Sequence, residues 1–162
     1  MTKHQVDVAA ESLVASLLSQ TGYEVFVQYG ANQPGYDLVA IRDSDNRTLR
    51  VSVKGTQLKG WVLTGGLKEG RTYAEAADKW CSNQGQDLVF AFVQFCEVEI
   101  GQMPEVYLAR AKEIAAHVIA GKGGTGDTTL RWQHTWQSGI ARGITDTPPD
   151  AWKFTQARID TV

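Results

Sequence analysis

The sequence predicts an α/β domain in which helices cover the faces of a mixed β-sheet. Three observations carry this reading. Apolar residues recur at helical spacing over residues 6–18, three β-rich runs follow, and "DLVFAFVQF" is almost wholly apolar between polar flanks, as a strand covered on both faces must be. The order helix, three strands, helix, strand, strand, helix puts the helices on the sheet faces. A chain of 162 residues, 43% of them hydrophobic, can bury one sizeable core and is short for two, so residues 1–162 read as a single domain.

Each element follows from its local pattern. Val6, Ala10, Leu13, Val14, Leu17 and Leu18 make one apolar helix face, and the glycine in "QTGY" stops it. Strands are expected over 23–29, 36–42 and 48–54, separated by "GANQPG" and the polar turn "DSDN", with the last two paired as an antiparallel hairpin. A glycine-rich, polar-aromatic stretch leads to a helix over 74–82. "DLVFAFVQF" and "EVYLA" are the next strands, and a helix covers 110–119. "GKGGTGD" is a flexible loop, and "TPPDAWKFTQARI" reads as a short final helix with prolines at its start.

Composition narrows the function classes. A net charge of −2 gives no general basic signature, so nucleic-acid binding would need a local patch. Cys81 and Cys96 lack metal-ligand spacing, and "MTKHQVDVAAE" has no apolar signal core, which together suggest a reducing, cytoplasmic setting. No apolar run approaches the roughly 18 residues that span a bilayer.

The chemistry gathers around "VSVKGTQ". Side chains alternate along a strand, so Ser52 and Lys54 project to the same side, and the hairpin turn brings Asp37 of "GYDLVAI" opposite them. A carboxylate and a lysine at one sheet edge suit metal-assisted phosphodiester cleavage. The carboxylate is a hard oxygen ligand for Mg²⁺ (or Mn²⁺), and the ammonium orients water or stabilises the pentavalent phosphorane. Glu11, at the border of the first helix's apolar face, can complete the site. His4 and Asp7 share nearly the same helical strip, so Asp7 is an alternative ligand.

In these residues the chain resembles the PD-(D/E)xK nuclease superfamily, with its restriction-endonuclease-like fold. "AAESLVASLLSQTGYEV" is similar to that family's first helix with its glutamate, "GYDLVAI" to its aspartate strand, and "VSVKGTQ" to the strand carrying (D/E/Q)xK. "DLVFAFVQF" and "EVYLARAKEIAAHV" are similar to the strands and helix that follow in small members. The resemblance implies a three-layer sandwich with a mixed central sheet flanked by helices. It implies Glu11 and Asp37 as metal ligands, Lys54 as the catalytic lysine, and Gln57 as a contact to substrate or water. Ser52 departs from the pattern, because the family places an acidic or amide side chain there and a hydroxyl is a weaker Mg²⁺ ligand.

Two classes of function follow. The first is a metal-dependent DNA endonuclease or nuclease-like DNA-processing protein, for which a homodimer would supply the two sites that double-strand cutting needs. The second is a catalytically inactive relative that binds a protein partner, as an immunity or regulatory factor. Trp61, Lys59, Lys68, Arg71, Tyr73 and Lys79 crowd the stretch after the site, and either follow a phosphate backbone, with Lys59 and Arg71 as substrate contacts, or anchor loop packing. Ser52 is either a bland polar residue or a hydroxyl holding a water at the site. Trp132, Trp136 and Trp152 read as packing residues, and His117 and His134 as structural. "KGGTGDTT" resembles a deviant Walker A loop, but Asp127 stands where phosphate binding needs a lysine.

Overall fold

Thr2 opens the first helix, α1 (Lys3–Gln20), with a capping box: its hydroxyl accepts from the Gln5 N–H while the Gln5 side chain accepts from the Thr2 N–H. The computed structural model describes residues 1–28 and 35–162. Strand β1 (Glu24–Val27) pairs antiparallel with β2 (Leu38–Arg42), and β2 pairs antiparallel with β3 (Arg47–Thr56) through the predicted polar turn. Tyr29 and most of the predicted "GANQPG" loop lie outside the described residues.

The chain then forms β4 (Gly60–Val62), a 3₁₀ turn over Gly65–Leu67, and α2 (Tyr73–Ser82), capped by a Thr72–Glu75 box. Strand β5 (Leu88–Gln94) returns parallel to β3, and every one of its residues is buried. Strand β6 (Glu105–Arg110) closes the sheet antiparallel to β5, giving the order β1-β2-β3-β5-β6. Helix α3 (Ala111–Gly124) follows at once. Mixed pairing and a β5 that is buried throughout and apolar up to Gln94 are what a sheet with both faces covered requires.

Period-two alternation along β3 and β5 divides the core. Val51, Val53, Val89, Ala91 and Val93 face Ala10, Val14 and Leu18 of α1, while Phe90 and Phe92 face Ala77 and Trp80 of α2 and Ile114 and Val118 of α3. Trp61 is buried in the second core, 5.2 Å from Phe92 and 6.5 Å from Tyr107 between ring centroids. The packing reading therefore holds for that member of the first aromatic cluster. It holds for the second cluster too. Trp132 Nε1 donates to Glu105, Trp136 Nε1 donates to Asp146, and Trp152 packs on the His117 ring. His134 meets Trp136 edge-on.

Three local readings are corrected. The predicted final helix is two separate turns, a 3₁₀ turn over Asp150–Trp152 and α4 (Gln156–Ile159), because the Phe154 N–H between them donates to Val106 O on the β6 edge. "GKGGTGD" is a hydrogen-bonded reversal: α3 loses helical dihedrals at Gly121, Lys122 adopts φ 53°, and the Gly126 and Asp127 N–H groups return to Gly121 O and Val118 O. Asp127 there is paired with Arg131 at 2.6 Å, in keeping with the rejection of a phosphate loop. Two small antiparallel pairs were not predicted, β4 with β7 (Thr129–Arg131), and β8 (His134–Thr135) with β9 (Thr145–Asp146).

One close approach fixes α1 on the sheet. A Cβ added at Gly55 would lie 2.8 Å from Val6 Cγ1 and 2.9 Å from Ala10 Cβ, so the helix sits where only a glycine fits beneath it. Overpacking of this kind costs about 1–3 kcal/mol. Gly55→Ala is therefore expected to lower the unfolding free energy by that amount, read as a lower urea midpoint with an unchanged m-value; a wild-type midpoint would show that α1 does not press on β3 there.

Candidate active site

Lys54 emerges where β3 leaves the two cores, and its side chain is exposed. Beside it opens a cleft of about 530 Å³ lined by Asp7 and Glu11 of α1, Asp37 ahead of β2, Lys54, and the β3–β4 segment including Leu58 and Val62. The helix glutamate, the strand aspartate and the strand lysine read from the sequence thus share one wall-to-wall space. They come from different directions. Glu11 arrives with the α1 face of the sheet, Ser52 and Lys54 alternate toward the α2/α3 face, and the end of the sheet is where both can meet.

Asp37 is held hard. Leu38 is the first residue of β2 and pairs with Val51, so the Val53 N–H lies past the strand's start. The Asp37 carboxylate takes the place of the missing backbone carbonyl: Oδ2 accepts from Val53 N at 2.6 Å and from Ser52 Oγ at 3.3 Å. The Asp37 N–H donates to Val51 O at 2.8 Å, which pins the residue from the other side. Among the described residues Oδ1 accepts no hydrogen bond, so one oxygen is structural and the other is unengaged on a residue that lines the cleft.

Ser52 is buried, at 6% exposure, with its hydroxyl turned onto Asp37. A glutamate there would put a second carboxylate against Asp37; the serine instead donates to it. Among the described residues Lys54 forms no ion pair with either carboxylate, which leaves its three donors available to an external anion.

Other predicted contacts lie elsewhere. Gln57 is bound to the first residue, accepting from the Met1 amino group at 2.9 Å and donating to Met1 O at 2.8 Å. Lys59 is within 3.6 Å of Glu97. Arg71 donates to the Leu67 and Glu69 carbonyls and lines a separate surface hollow with Glu75, Asp78 and Lys79. None of the three lines the cleft. Asp7 does, which the sequence left open as an alternative to Glu11.

The electrostatics mark Glu11 as the stressed group. Its partial burial, then the neighbouring carboxylates of Asp37 and Asp7, raise its pKa above the ordinary 4.5, against the opposing pull of Lys54 and His4. Among the described residues no group of three or more His, Cys, Asp or Glu side chains is arranged to hold a metal ion. The carboxylates that line the cleft are Glu11 and Asp37, with Asp7 beside them. Mg²⁺ is commonly held by one or two carboxylates with water completing its shell, so the residues present fit that ion.

No protein-family model matches this sequence, and no curated protein matches it. Among solved structures the chain is similar to a bacterial homing endonuclease, I-Ssp6803I, with a TM-score of 0.45 and 14% identity, over 94% of this chain and 87% of that one. A likeness of that size assigns neither family nor activity, and the weight rests on the cleft itself. Among the described residues no helix is long and apolar enough to cross a membrane.

The raised pKa of Glu11 has a stability consequence. The folded state holds this proton more tightly than the unfolded state does, so stability is favoured at low pH and lost as pH rises through the folded-state pKa. In metal-free buffer Glu11→Gln is expected to melt above wild type at pH 7, with the difference closing below about pH 4.5. A variant melting below wild type at pH 7 would show that Glu11 is not repelled in the cleft.

Proposed function

We propose that this chain is a metal-dependent nuclease of the restriction-endonuclease-like, PD-(D/E)xK type, a three-layer sandwich that hydrolyses phosphodiester bonds in DNA. The observation that supports it is the meeting of Glu11, Asp37 and Lys54 in one cleft, with Lys54 unpaired among the described residues. Glu11 and Asp37 would hold Mg²⁺ or Mn²⁺. When bound, the ion supplies Lewis-acid activation at phosphorus.

The chain's own residues do the rest. Asp37, clamped through Oδ2 by Val53 and Ser52, keeps Oδ1 in a fixed place. Lys54 presents a compact cation that draws in the scissile phosphate, orients the attacking water and stabilises charge developing on the phosphoryl oxygens. Glu11 closes the site from α1, at a distance from the sheet set by Gly55. Cutting both strands of a duplex calls for two such sites, so a homodimer belongs to this reading.

One observation favours a second reading, a nuclease-like protein that binds without cutting. Ser52 gives its hydroxyl to Asp37 where the resemblance calls for another metal-ligating side chain.

Cleavage of supercoiled, linear, single-stranded and branched DNA with Mg²⁺, and separately with Mn²⁺, decides between them. The nuclease reading predicts metal-dependent cutting that Lys54→Ala reduces roughly 10²–10³-fold. An inert wild type with an active Ser52→Glu variant would establish the binding reading instead. If neither cuts, the nuclease proposal fails.

A further inference from the structure

A second hollow adjoins the cleft. It measures about 320 Å³ and shares Asp37, Lys54, Val62 and Leu63 with the first, so the two spaces adjoin around these residues. Ligand pockets begin at about this size. Trp80, Phe90 and Leu88, buried members of the second core, line it, and Tyr36 adds a half-buried ring. Its chief polar side chain away from Asp37, Lys54 and Ser52 is Gln84. The Gln84 Nε2 donates to Trp80 O at 3.0 Å, which orients the amide, and among the described residues its Oε1 has no partner.

The half-buried Tyr36 ring, one oriented amide and a lysine shared with the cleft match the three parts of a nucleotide: a flat π-face to stack, a polar edge to read and a phosphate to neutralise. The lip carries a further sign. Leu58 and Val62 stand 75% and 74% exposed beside the cleft, apolar groups that an unstacked strand would cover. A fully paired duplex keeps its bases inside the stack and could not fill such a hollow.

We infer that this side pocket, lined by Tyr36, Trp80 and Gln84, takes an unstacked nucleobase of the strand whose phosphate lies at Lys54. The substrate is then DNA that offers an unpaired nucleotide: a single strand, a bulge or a branch. The inference rests on the nuclease reading in that Lys54 is taken to meet phosphate, and it adds which DNA form is bound.

Binding without cutting tests it. Fluorescence anisotropy in EDTA compares one fluorescein-labelled sequence as a single strand, as a perfect duplex, and as a duplex with a single unpaired base. The first and third are expected to bind about tenfold tighter than the perfect duplex, the effect of one base stacked on aromatic side chains. Gln84→Ala and Tyr36→Ala should each remove most of that advantage and leave duplex affinity as it was. Gln84 lies on the turn after α2, outside both cores, so its replacement keeps the fold even if Tyr36→Ala loosens it. Equal affinity for all three DNAs, or an advantage that survives Gln84→Ala, overturns the pocket while cleavage can still uphold the nuclease. Failure to bind any DNA overturns both.

Discussion

The site depends on the clasp between Asp37 and the Val53 N–H. A buried backbone donor without a partner costs roughly 1–3 kcal/mol, and β2 begins too late to supply a carbonyl at that point. The carboxylate that fills the gap is thereby made part of the sheet. Its position is set by strand register and not by a loop. The result is a carboxylate that does two jobs: Oδ2 completes the β2–β3 edge, and Oδ1 is left without a hydrogen bond among the described residues. Ser52 reinforces the same oxygen, so the residue that departs from the nuclease pattern also helps to hold the pattern's aspartate in place.

The end of β3 is the meeting point of two cores. Its valines belong to the α1 core, while Ser52 and Lys54 project toward the α2/α3 side. Groups carried on opposite faces of a sheet can converge only where the sheet stops, and Gly55 lets α1 descend far enough for Glu11 to reach that place. The same constraint explains the charge balance. Two acidic side chains from α1 and one from the sheet share the cleft with Lys3 and Lys54, and burial first, then repulsion by Asp37 and Asp7, raises the pKa of Glu11. A divalent cation or a phosphate with its counter-ion would relieve it. Such stress is tolerated in a structure chiefly where a ligand removes it.

Much of this was legible in the sequence, and the reasons are local. The polar "DSDN" turn fixes the β2–β3 hairpin, and period-two alternation then places Asp37, Ser52 and Lys54 together. Helical spacing similarly put Glu11 at the border of the buried face. What escaped was non-local or too short to have a period. Strands of two or three residues, as in β4, β7, β8 and β9, carry no alternation to detect. Gln57 engages Met1, a partner 56 positions away. The break in the final helix comes from the Phe154 N–H docking on Val106, which no local propensity encodes. The side pocket joins Tyr36, Ser52 and Gln84 from three separate elements, and only the folded chain brings them together.

The proposed cation site unites Glu11 and Asp37 at the end of β3. Anomalous diffraction from crystals soaked in Mn²⁺ tests it most directly. The account predicts a peak in contact with Asp37 Oδ1 and the Glu11 carboxylate, lost in Asp37→Asn. A crystal with no peak in the cleft, or a peak that ignores both carboxylates, would contradict it.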